Sequence, residues 1–493
     1  MGENVEDKED CYSLPIRFEK GRKSVFVDWH IVEAGYGMPF WKSYQDKHGT
    51  HPWFSPSGVK LTVMQPEIDE EPFIEKDPTG NLRAYSTLIY DEGVYRFWYE
   101  TDGFQGKGDA GAVLCLMESG DCVCWTSRRV GLIEFNASLD NNLVYGYGAE
   151  EKGGIIAAHG ASVFIDPSDD ETRRYKLLNI GPAPKGQFPY SWLYGAYSKD
   201  GVNWTKYAEP IAKHSSDTQS VGLFDKTLGK YVIYVRGWSP QSKTGAGGRR
   251  VIKRGESSDF SLFKDLETVL SPLPSWGPWA DIYTNAYHKW PGADRAHLML
   301  PALYYRNSDM LDVHLALSRD GKRWHFPTDA PIISNGQRAE SVAIYAGKGM
   351  VPYGKGLWAF PVYVSRKGHN QYSHSKPGIH LAAIREDGFI CIEAELIGEF
   401  YTYPCVFTGK TMVINSFSYP GGEIKIEFLR PKNNLEYAPI ENFSLQDCQP
   451  ITGDSMWKTV KWKSEDYLSE LAGEVIRIRF YMVRSRIFAF KFI

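Results

Sequence analysis

One short phrase recurs along this chain: an apolar strand, then Ser-x-Asp-Gly or a close variant, then an aromatic residue two to four positions later. The clearest copy is "LALSRDGKRW" at residues 315–324, and the others are "CLMESGDCVCW", "GAYSKDGVNW", "KRGESSDFSLF" and "LAAIREDGFI". The five aspartates follow one another at intervals of 79, 59, 61 and 67 residues, and they are Asp121, Asp200, Asp259, Asp320 and Asp387. Such a repeat indicates that one β-unit is used five times.

Each copy is preceded by a second shared pattern, an apolar strand, a polar turn and an aromatic-rich strand, as in "STLIYDEGVYRFWYE". With the strand before the Ser-x-Asp-Gly phrase and a short strand after it, each unit has four strands. Repeated four-stranded units are typical of propellers, so the sequence predicts a five-bladed β-propeller. The Asp and Gly of the phrase suit a tight turn, which makes its role structural.

The repeat ends near residue 395, and the remaining chain reads as alternating strands separated by turns that contain Gly or Pro. This pattern predicts a C-terminal β-sandwich. The sequence therefore predicts an all-β protein in three parts. Residues 1–69 wrap the propeller, residues 70–395 form its five blades, and residues 396–493 form the sandwich.

The charge and hydropathy of the chain exclude two classes of partner. Lys and Arg total 56 against 60 Asp and Glu, and this balance offers no basic surface for nucleic acid. The apolar runs are only as long as single strands, so we expect a soluble protein without a membrane span. The compartment stays open: the periplasm or the exterior if a signal peptide has been removed, and the cytoplasm otherwise. The sequence leaves the oligomeric state open.

Polar residues stand directly ahead of the first strand of each predicted blade, where one mouth of a propeller would lie. They are Arg83, His159, Asp217, Asp281 and Glu340. If these positions are equivalent, the side chains converge on one small volume. The alternative is that each acid only caps a turn ahead of its strand.

Carboxylates that crowd together repel one another, which raises the pKa of some of them. A protonated carboxyl beside an ionised one is the arrangement that cleaves glycosidic bonds. The three carboxylates and His159 could instead hold a structural calcium ion. We expect no catalytic metal and no other cofactor.

The five units with acids at their inner strands resemble the five-bladed propeller glycosidases, the superfamily of invertases, arabinanases and β-xylosidases. Phrases such as "FVDWHIVE", "SSDTQS", "VIKRGESSDF" and "FSLQDCQPITGD" are similar to those of bacterial glycosidase-like propellers with a C-terminal sandwich. The resemblance implies three acids, which we assign as Asp217 for the base or nucleophile, Asp281 for the tuning or orienting residue and Glu340 for the proton donor. The superfamily's first-blade acid is replaced by Arg83, and "KDP" at 76–78 or Asp28 could substitute for it.

The sequence thus predicts a glycoside hydrolase that acts on a terminal or short-chain glycosidic bond in a pocket at the propeller mouth. Aromatic residues make up 14% of the chain, and they could supply sugar-stacking faces as well as sheet core. The predicted substrate-binding residues are Asp28, Trp29, Arg83, His159, Arg236, Trp238 and Tyr283. Two alternatives are a non-catalytic carbohydrate-binding or scaffold protein and a glycoside phosphorylase, in which Arg83, His159 and Arg236 would bind phosphate.

Overall fold

The computed structural model describes residues 15–34, 55–104, 108–146, 158–187, 189, 191–240, 248–336, 341–370, 377–432, 437–463 and 468–493. Within these ranges the chain is nearly all β-structure and contains no α-helix. Short 3-10 helices lie at Gly108–Gly111, Glu171–Arg173, Pro274–Trp276 and Leu468–Leu471. The predicted all-β class is confirmed.

The chain folds into two compact units. The larger unit consists of residues 65–290 and 295–386, and the smaller unit combines residues 1–64, 291–294 and 387–493. The first strands along the chain are β1 (Ile16–Phe18), β2 (Ser24–Val25), β3 (Lys60–Val63) and β4 (Glu67–Ile68). Of these four, only β4 belongs to the larger unit.

Antiparallel meanders repeat through the larger unit. Set 1 comprises β5 (Leu82–Asp91), β6 (Val94–Thr101), β7 (Val113–Ser119), β8 (Thr126–Ser127) and β9 (Leu143–Gly146). Set 2 comprises β10 (Ser162–Ile165), β11 (Tyr175–Pro182), β12 (Ser191–Ser198) and β13 (Thr205–Lys206). Set 3 comprises β14 (Val221–Asp225), β15 (Lys230–Ser239), β16 (Arg249–Ser257) and β17 (Leu266–Leu270). Each of these three sets forms a sheet of its own.

The fourth meander is divided between two sheets. Its strands are β18 (Ala280–Ile282), β19 (Tyr287–Lys289), β20 (His297–Met299), β21 (Ala302–Tyr305), β22 (Met310–Val313), β23 (Ala316–Ser318) and β24 (Trp324–His325). A four-stranded sheet contains β19, β20, β23 and β24, while β18, β21 and β22 lie in an eight-stranded sheet. The pairing of β20 with β23 and the pairing of β21 with β22 share one register without a shift. Strands β20 and β21 therefore form one long strand, and β22 and β23 form its partner.

The eight-stranded sheet also contains the fifth meander, which comprises β25 (Ala343–Ala346), β26 (Val351–Tyr353), β27 (Leu357–Ser365) and β28 (Gly378–Arg385). Strand β4 pairs with β28 at its outer edge, with Ile68 opposite Ala382. The first residues of the larger unit therefore complete its last meander. The predicted propeller-like fold is confirmed: sets 1 to 3 have sheets of their own, part of the fourth meander forms a fourth sheet, and the strands of the predicted fifth blade lie in the eight-stranded sheet.

The repeated Ser-x-Asp-Gly phrase forms a tight turn after the third strand of a blade, as predicted. Oδ1 of Asp200 accepts hydrogen bonds from the backbone N–H groups of Val202 and Asn203 at 2.9 and 2.8 Å. Oγ of Ser198 accepts from the N–H of Gly201 at 3.0 Å, and Gly201 has a φ of 74°. The same bonds form around Asp121 and Asp320. The phrase satisfies the turn's own backbone donors, which leaves it no need of a ligand.

Lys348, between β25 and β26, lies where the first strands of the other sets meet. Its backbone N–H donates to the carbonyl of Ser86 in β5 at 2.9 Å. Its ammonium donates to the carbonyl of Val163 in β10 and, at 3.3 Å, to that of Gly222 in β14. Burial, together with the nearby charge of Lys348, lowers the pKa of His288 in β19 to about 3. One lysine side chain thus fills the space between the inner strands.

The smaller unit contains β29 (Ile390–Tyr401), β30 (Cys405–Phe407), β31 (Met412–Pro431), β32 (Tyr437–Pro439), β33 (Asp454–Thr459) and β34 (Arg477–Phe492). Its main sheet has the order β3-β29-β34-β31-β32, with β2 on β34 and β33 on β31, and β1 pairs in parallel with β30. The sequence predicts a C-terminal β-sandwich, and the C-terminal strands do lie in these further sheets.

The described N-terminal strands differ from our expectation that residues 1–69 wrap the propeller. Strands β1, β2 and β3 pair within the smaller unit. The reason is burial: Phe18 and Phe26 belong to that unit's hydrophobic core, where Phe26 meets Phe400 at 5.9 Å between ring centroids. Strands β1, β2 and β3 are therefore part of the C-terminal fold.

Candidate active site

The larger unit contains a cavity of about 200 Å³. Its lining residues are Arg83, Ala84, Tyr85, Asp109, His159, Asp217, Tyr283, Ala343, Tyr345, Tyr363, Ser365, Gly368 and His369. Four of the sequence-predicted site residues, Arg83, His159, Asp217 and Tyr283, lie together here. The other lining residues were not predicted.

Arg83, near the start of β5, is surrounded by three carboxylates. Its Nε donates to Oδ1 of Asp102 at 3.0 Å, and its Nη1 donates to Oε1 of Glu100 at 3.0 Å and to Oδ1 of Asp109 at 2.9 Å. Burial works against the charge of the guanidinium, but the carboxylates outweigh it and raise the pKa of Arg83. Among the described residues, Nη2 of Arg83 has no hydrogen-bond partner.

Glu100 and His159 form a buried pair behind Arg83. The carboxylate of Glu100 is fully buried, with Oε1 at 2.9 Å from Nδ1 of His159 and Oε2 accepting the N–H of Gly160 at 2.9 Å. Nε2 of His159 donates to the backbone carbonyl of Asp217 at 3.1 Å. Nδ1 of His159 also lies 2.9 Å from Nη1 of Arg83, so contacts at both ring nitrogens fix the imidazole in orientation at the cavity wall.

Asp109 is the exposed member of this cluster, with 63% of its side chain accessible. One oxygen accepts from Arg83, and the other lies 3.8 Å from Nε2 of His159. Partial burial works against ionisation, yet His159 and Arg83 together lower the pKa of Asp109. Asp109 is therefore an ionised carboxylate at neutral pH and suits a base, a nucleophile or a hydrogen-bond acceptor.

Asp217 brings a second carboxylate to the cavity, and 53% of its side chain is exposed. Its Oδ1 contacts Nη2 of Arg236, a side chain in β15 that is only 3% exposed. The guanidinium of Arg236 also lies over the rings of Tyr283 and Trp238, at 5.0 and 5.4 Å from their centroids. Burial lowers the pKa of Arg236, and Asp217 is its carboxylate partner. Arg236 and Trp238 do not line the cavity, and Arg236 contacts it only through Asp217 and Tyr283.

Asp281 lies outside the cavity wall, contrary to the expected convergence of three acids. It is fully buried, and Oδ1 accepts the backbone N–H of Arg250 at 3.0 Å while Oδ2 accepts Nη1 of Arg250 at 2.6 Å. Arg250 stands over Tyr283 at 5.2 Å. The hydrogen bonds to Arg250 hold Asp281 away from the mouth. Asp281 can therefore orient Arg250, but it has no access to a substrate. Glu340 lies outside the described residues.

Tyrosines form most of the remaining wall. Tyr283 and Tyr345 meet edge to face at 6.1 Å between centroids, and Tyr345 meets Tyr363 at 5.8 Å. A further tyrosine of the wall, Tyr85, has its ring 5.4 Å from that of His159. Burial raises the pKa values of Tyr85 and Tyr345 well above the usual value, so both phenols stay protonated.

The N-terminal candidates do not line the cavity. Oδ1 of Asp28 accepts the backbone N–H of His30 at 2.8 Å, and Trp29 is 38% exposed; both belong to the smaller unit. Asp77 of the "KDP" stretch accepts the N–H of Thr79 at 2.8 Å and the hydroxyl of Tyr99, as a turn residue does. Neither offers the missing first-blade acid in this cavity.

Among the described residues, no group of three or more His, Cys, Asp or Glu side chains is arranged to hold a metal ion. The guanidinium of Arg83 itself takes the central position between Glu100, Asp102 and Asp109. A structural calcium ion stays a prediction. Within the same ranges, no helix is long and apolar enough to cross a membrane.

Comparisons with known proteins give matches only among solved structures, since no family model and no curated protein matches the chain. A thermostable family-43 glycoside hydrolase is 15% identical, with a TM-score of 0.43 over 64% of this chain and 95% of that one. An endo-1,4-beta-xylanase from Bacteroides thetaiotaomicron is 15% identical, with a TM-score of 0.42 over 62% and 91%. An N-acetylgalactosamine deacetylase from F. plautii is 12% identical, with a TM-score of 0.43 over 68% and 97%.

These neighbours include glycoside hydrolases, the class whose propeller superfamily the sequence resembles. At such TM-scores they support no inference about the chemistry of this chain. Its function has to be inferred from the cavity.

Proposed function

We propose that the protein is a glycoside hydrolase that binds a terminal sugar unit in this cavity and cleaves its glycosidic bond by carboxylate chemistry. The observation that carries the proposal is the pair Asp109 and Asp217, two partly exposed carboxylates in one tyrosine-walled cavity. Pairs of carboxylates are the usual equipment for glycoside hydrolysis.

The size of the cavity favours a single sugar ring. Its volume of about 200 Å³ is below the roughly 300 to 1,000 Å³ typical of pockets for drug-sized ligands. Two residues beyond Asp217, the buried amide of Gln219 donates to the carbonyls of Ser86 and Ala161 at 2.8 and 2.9 Å. Because this side chain links inner strands of three sets, it closes the space between them and favours a blind pocket for chain ends.

The side chains of the cavity wall indicate how a sugar would be recognised. The faces of Tyr85, Tyr283 and Tyr345 can pack against the C–H groups of a sugar ring, while its hydroxyls bond to charged groups. Asp109 would accept from a hydroxyl, and Nη2 of Arg83 would donate to one. This combination of acceptors, donors and rings is suited to a neutral carbohydrate.

In the proposed reaction, Asp109 is the ionised carboxylate that activates a water or attacks the anomeric carbon, and Asp217 is the alternative for this role. Glu340 remains our proposed proton donor to the leaving oxygen. Asp281 orients Arg250 against Tyr283. Carboxyl groups about 5 to 5.5 Å apart would give retention of configuration, and about 6.5 to 9.5 Å would give inversion.

The test measures product release from a panel of aryl glycosides and of plant and algal oligosaccharides. The test compares three variants, Asp109→Asn, Asp217→Asn and Glu340→Gln, with the control Asp140→Asn. The side chain of Asp140 is 57% exposed and pairs with Arg129 on the surface. We expect at least one of these three variants to lose about 100-fold or more in kcat, while the Asp140 variant keeps its rate. Full activity in all three would show that the proposed catalytic carboxylates are wrong.

One observation favours a second candidate, a carbohydrate-binding protein without catalysis. Asp109 and Asp217 are each paired with an arginine, which favours the ionised form and leaves neither one as the proton donor. Binding of sugars without any product would establish this alternative. Running the panel with and without inorganic phosphate separates hydrolysis from phosphorolysis, because only a phosphorylase needs phosphate.

A further inference from the structure

His369 is a cavity residue held in place by the neighbouring meander. Its backbone N–H donates to the carbonyl of Asp309 at 3.0 Å, and the next residue, Asn370, donates its backbone N–H to Oδ2 of Asp309 at 3.0 Å and its Nδ2 to Oδ1 at 2.6 Å. The imidazole packs against Tyr283 and Tyr304 at centroid distances of 4.5 and 5.1 Å. These contacts fix both the backbone and the ring.

One nitrogen of this ring has a defined partner. Nδ1 of His369 lies 2.7 Å from the hydroxyl oxygen of Tyr345. Burial lowers the pKa of His369 to about 4, against an opposing effect of Asp309, so the imidazole is neutral at physiological pH. Because the phenol of Tyr345 stays protonated, its O–H donates to Nδ1 and the ring hydrogen is on Nε2.

The other nitrogen is available to a ligand. Nε2 of His369 has no hydrogen-bond partner among the described residues, and His369 lines the cavity. We propose that His369 binds the substrate by donating a hydrogen bond from Nε2 to a sugar hydroxyl oxygen, and that Tyr345 is the positioning residue that fixes this tautomer. A neutral N–H group suits an uncharged hydroxyl. This inference rests on the proposed carbohydrate substrate and adds the residue that recognises it.

The first test needs no substrate. The full-length protein, labelled with ¹⁵N-histidine, is examined by long-range ¹H–¹⁵N correlation spectra between pH 5.5 and 8, and His369 is assigned by the loss of its signals in His369→Phe. We expect the neutral Nε2–H tautomer throughout, and a mixture of tautomers in Tyr345→Phe. An imidazolium or an Nδ1–H tautomer in the wild type would overturn the inference.

The second test measures binding. Methyl glycosides of common hexoses and pentoses are screened by saturation-transfer NMR, and the affinity of each binder is measured by titration calorimetry. His369→Phe keeps a ring but removes the donor, and should weaken binding about 10-fold or more, because it leaves a hydroxyl oxygen unpaired. His369→Gln places an amide N–H near Nε2 and should recover much of the loss. Thermal unfolding followed by circular dichroism checks that each variant folds.

The outcomes separate this inference from the proposed function. If the wild type binds sugars and His369→Phe binds them equally well, only the role of His369 is wrong. If the wild type binds none of the glycosides, the carbohydrate proposal and the role of His369 both fail. A His369→Gln variant that binds no better than His369→Phe would show that an N–H donor near this position does not account for the loss, and it would overturn the proposed hydrogen bond.

Discussion

Replacing Lys348 by methionine should abolish a rise in the stability of the larger unit with pH. Burial lowers the pKa of Lys348 to about 7, whereas a lysine in an unfolded chain has a pKa of about 10.4. Between these two values the unfolded chain binds a proton that the folded protein has released. The free energy of unfolding must therefore increase as the pH rises from 7, and this contribution is complete above about pH 10.4.

The structure sets the size of the effect. One proton difference is worth at most about 1.4 kcal/mol per pH unit, or about 4 to 5 kcal/mol across the whole interval. The hydrogen bonds from the ammonium to the carbonyls of Val163 and Gly222 favour the charged form and reduce this gain. We expect an increase of about 2 to 4 kcal/mol for the wild type relative to Lys348→Met.

The assay is urea unfolding followed by tryptophan fluorescence at pH 7, 8, 9 and 10. Other groups titrate in this range, so the quantity of interest is the difference in unfolding free energy between the wild type and Lys348→Met. Lys226→Met is the control, because Lys226 is exposed on a turn and should give a difference that does not vary with pH. A constant difference for Lys348→Met as well would refute the reasoning.

Three more predictions concern the site and the sheets. If Asp109 is the base, activity is lost as the pH falls through its pKa, which His159 helps to lower; His159→Gln should therefore move the acidic limb of the kcat/KM profile to higher pH. Asp281→Asn should destabilise the protein by about 3 kcal/mol in urea unfolding, because it leaves the charge of Arg250 without its partner. Glu92→Asn should stabilise it by about 0.5 kcal/mol in the same assay, because Glu92 has a φ of 51° in a two-residue hairpin that favours Asn-Gly. An acidic limb that does not move in His159→Gln would contradict the first expectation. A loss under 1 kcal/mol in Asp281→Asn would contradict the second, and a decrease in stability in Glu92→Asn would contradict the third.

Local sequence predicted the repeating unit because the turn chemistry is contained in it. Ser198, Asp200 and Gly201 satisfy one another's hydrogen bonds within four residues, so their pattern is visible along the chain. The repeat also predicted that Arg83 and His159 lie together, since Arg83 is at the start of β5 and His159 is just ahead of β10. Features that repeat with the fold could be predicted.

The rest of the site depends on contacts between distant residues. Asp109 lies in a 3-10 helix between β6 and β7 and not at the start of a strand. Its place in the site is shown only by its contacts with Arg83 and His159. Asp281 was expected at the mouth, but its partner Arg250 comes from another blade. His369 owes its position to Asp309, sixty residues earlier in the sequence. A single sequence carries no signal for such pairings.

The pairing of β4 with β28 has a consequence for the order in which the protein folds during synthesis. Ile68 leaves the ribosome more than 300 residues before its partner Ala382. The meanders of sets 1 to 3 have partners close in sequence and can form as they emerge, whereas the last sheet has to wait for a partner made at the end. Until then the edge of β4 is unpaired and open to association with other chains. Translation that stops before residue 378 should therefore yield a nascent chain in which the early blades are formed and β4 is unpaired and prone to aggregation.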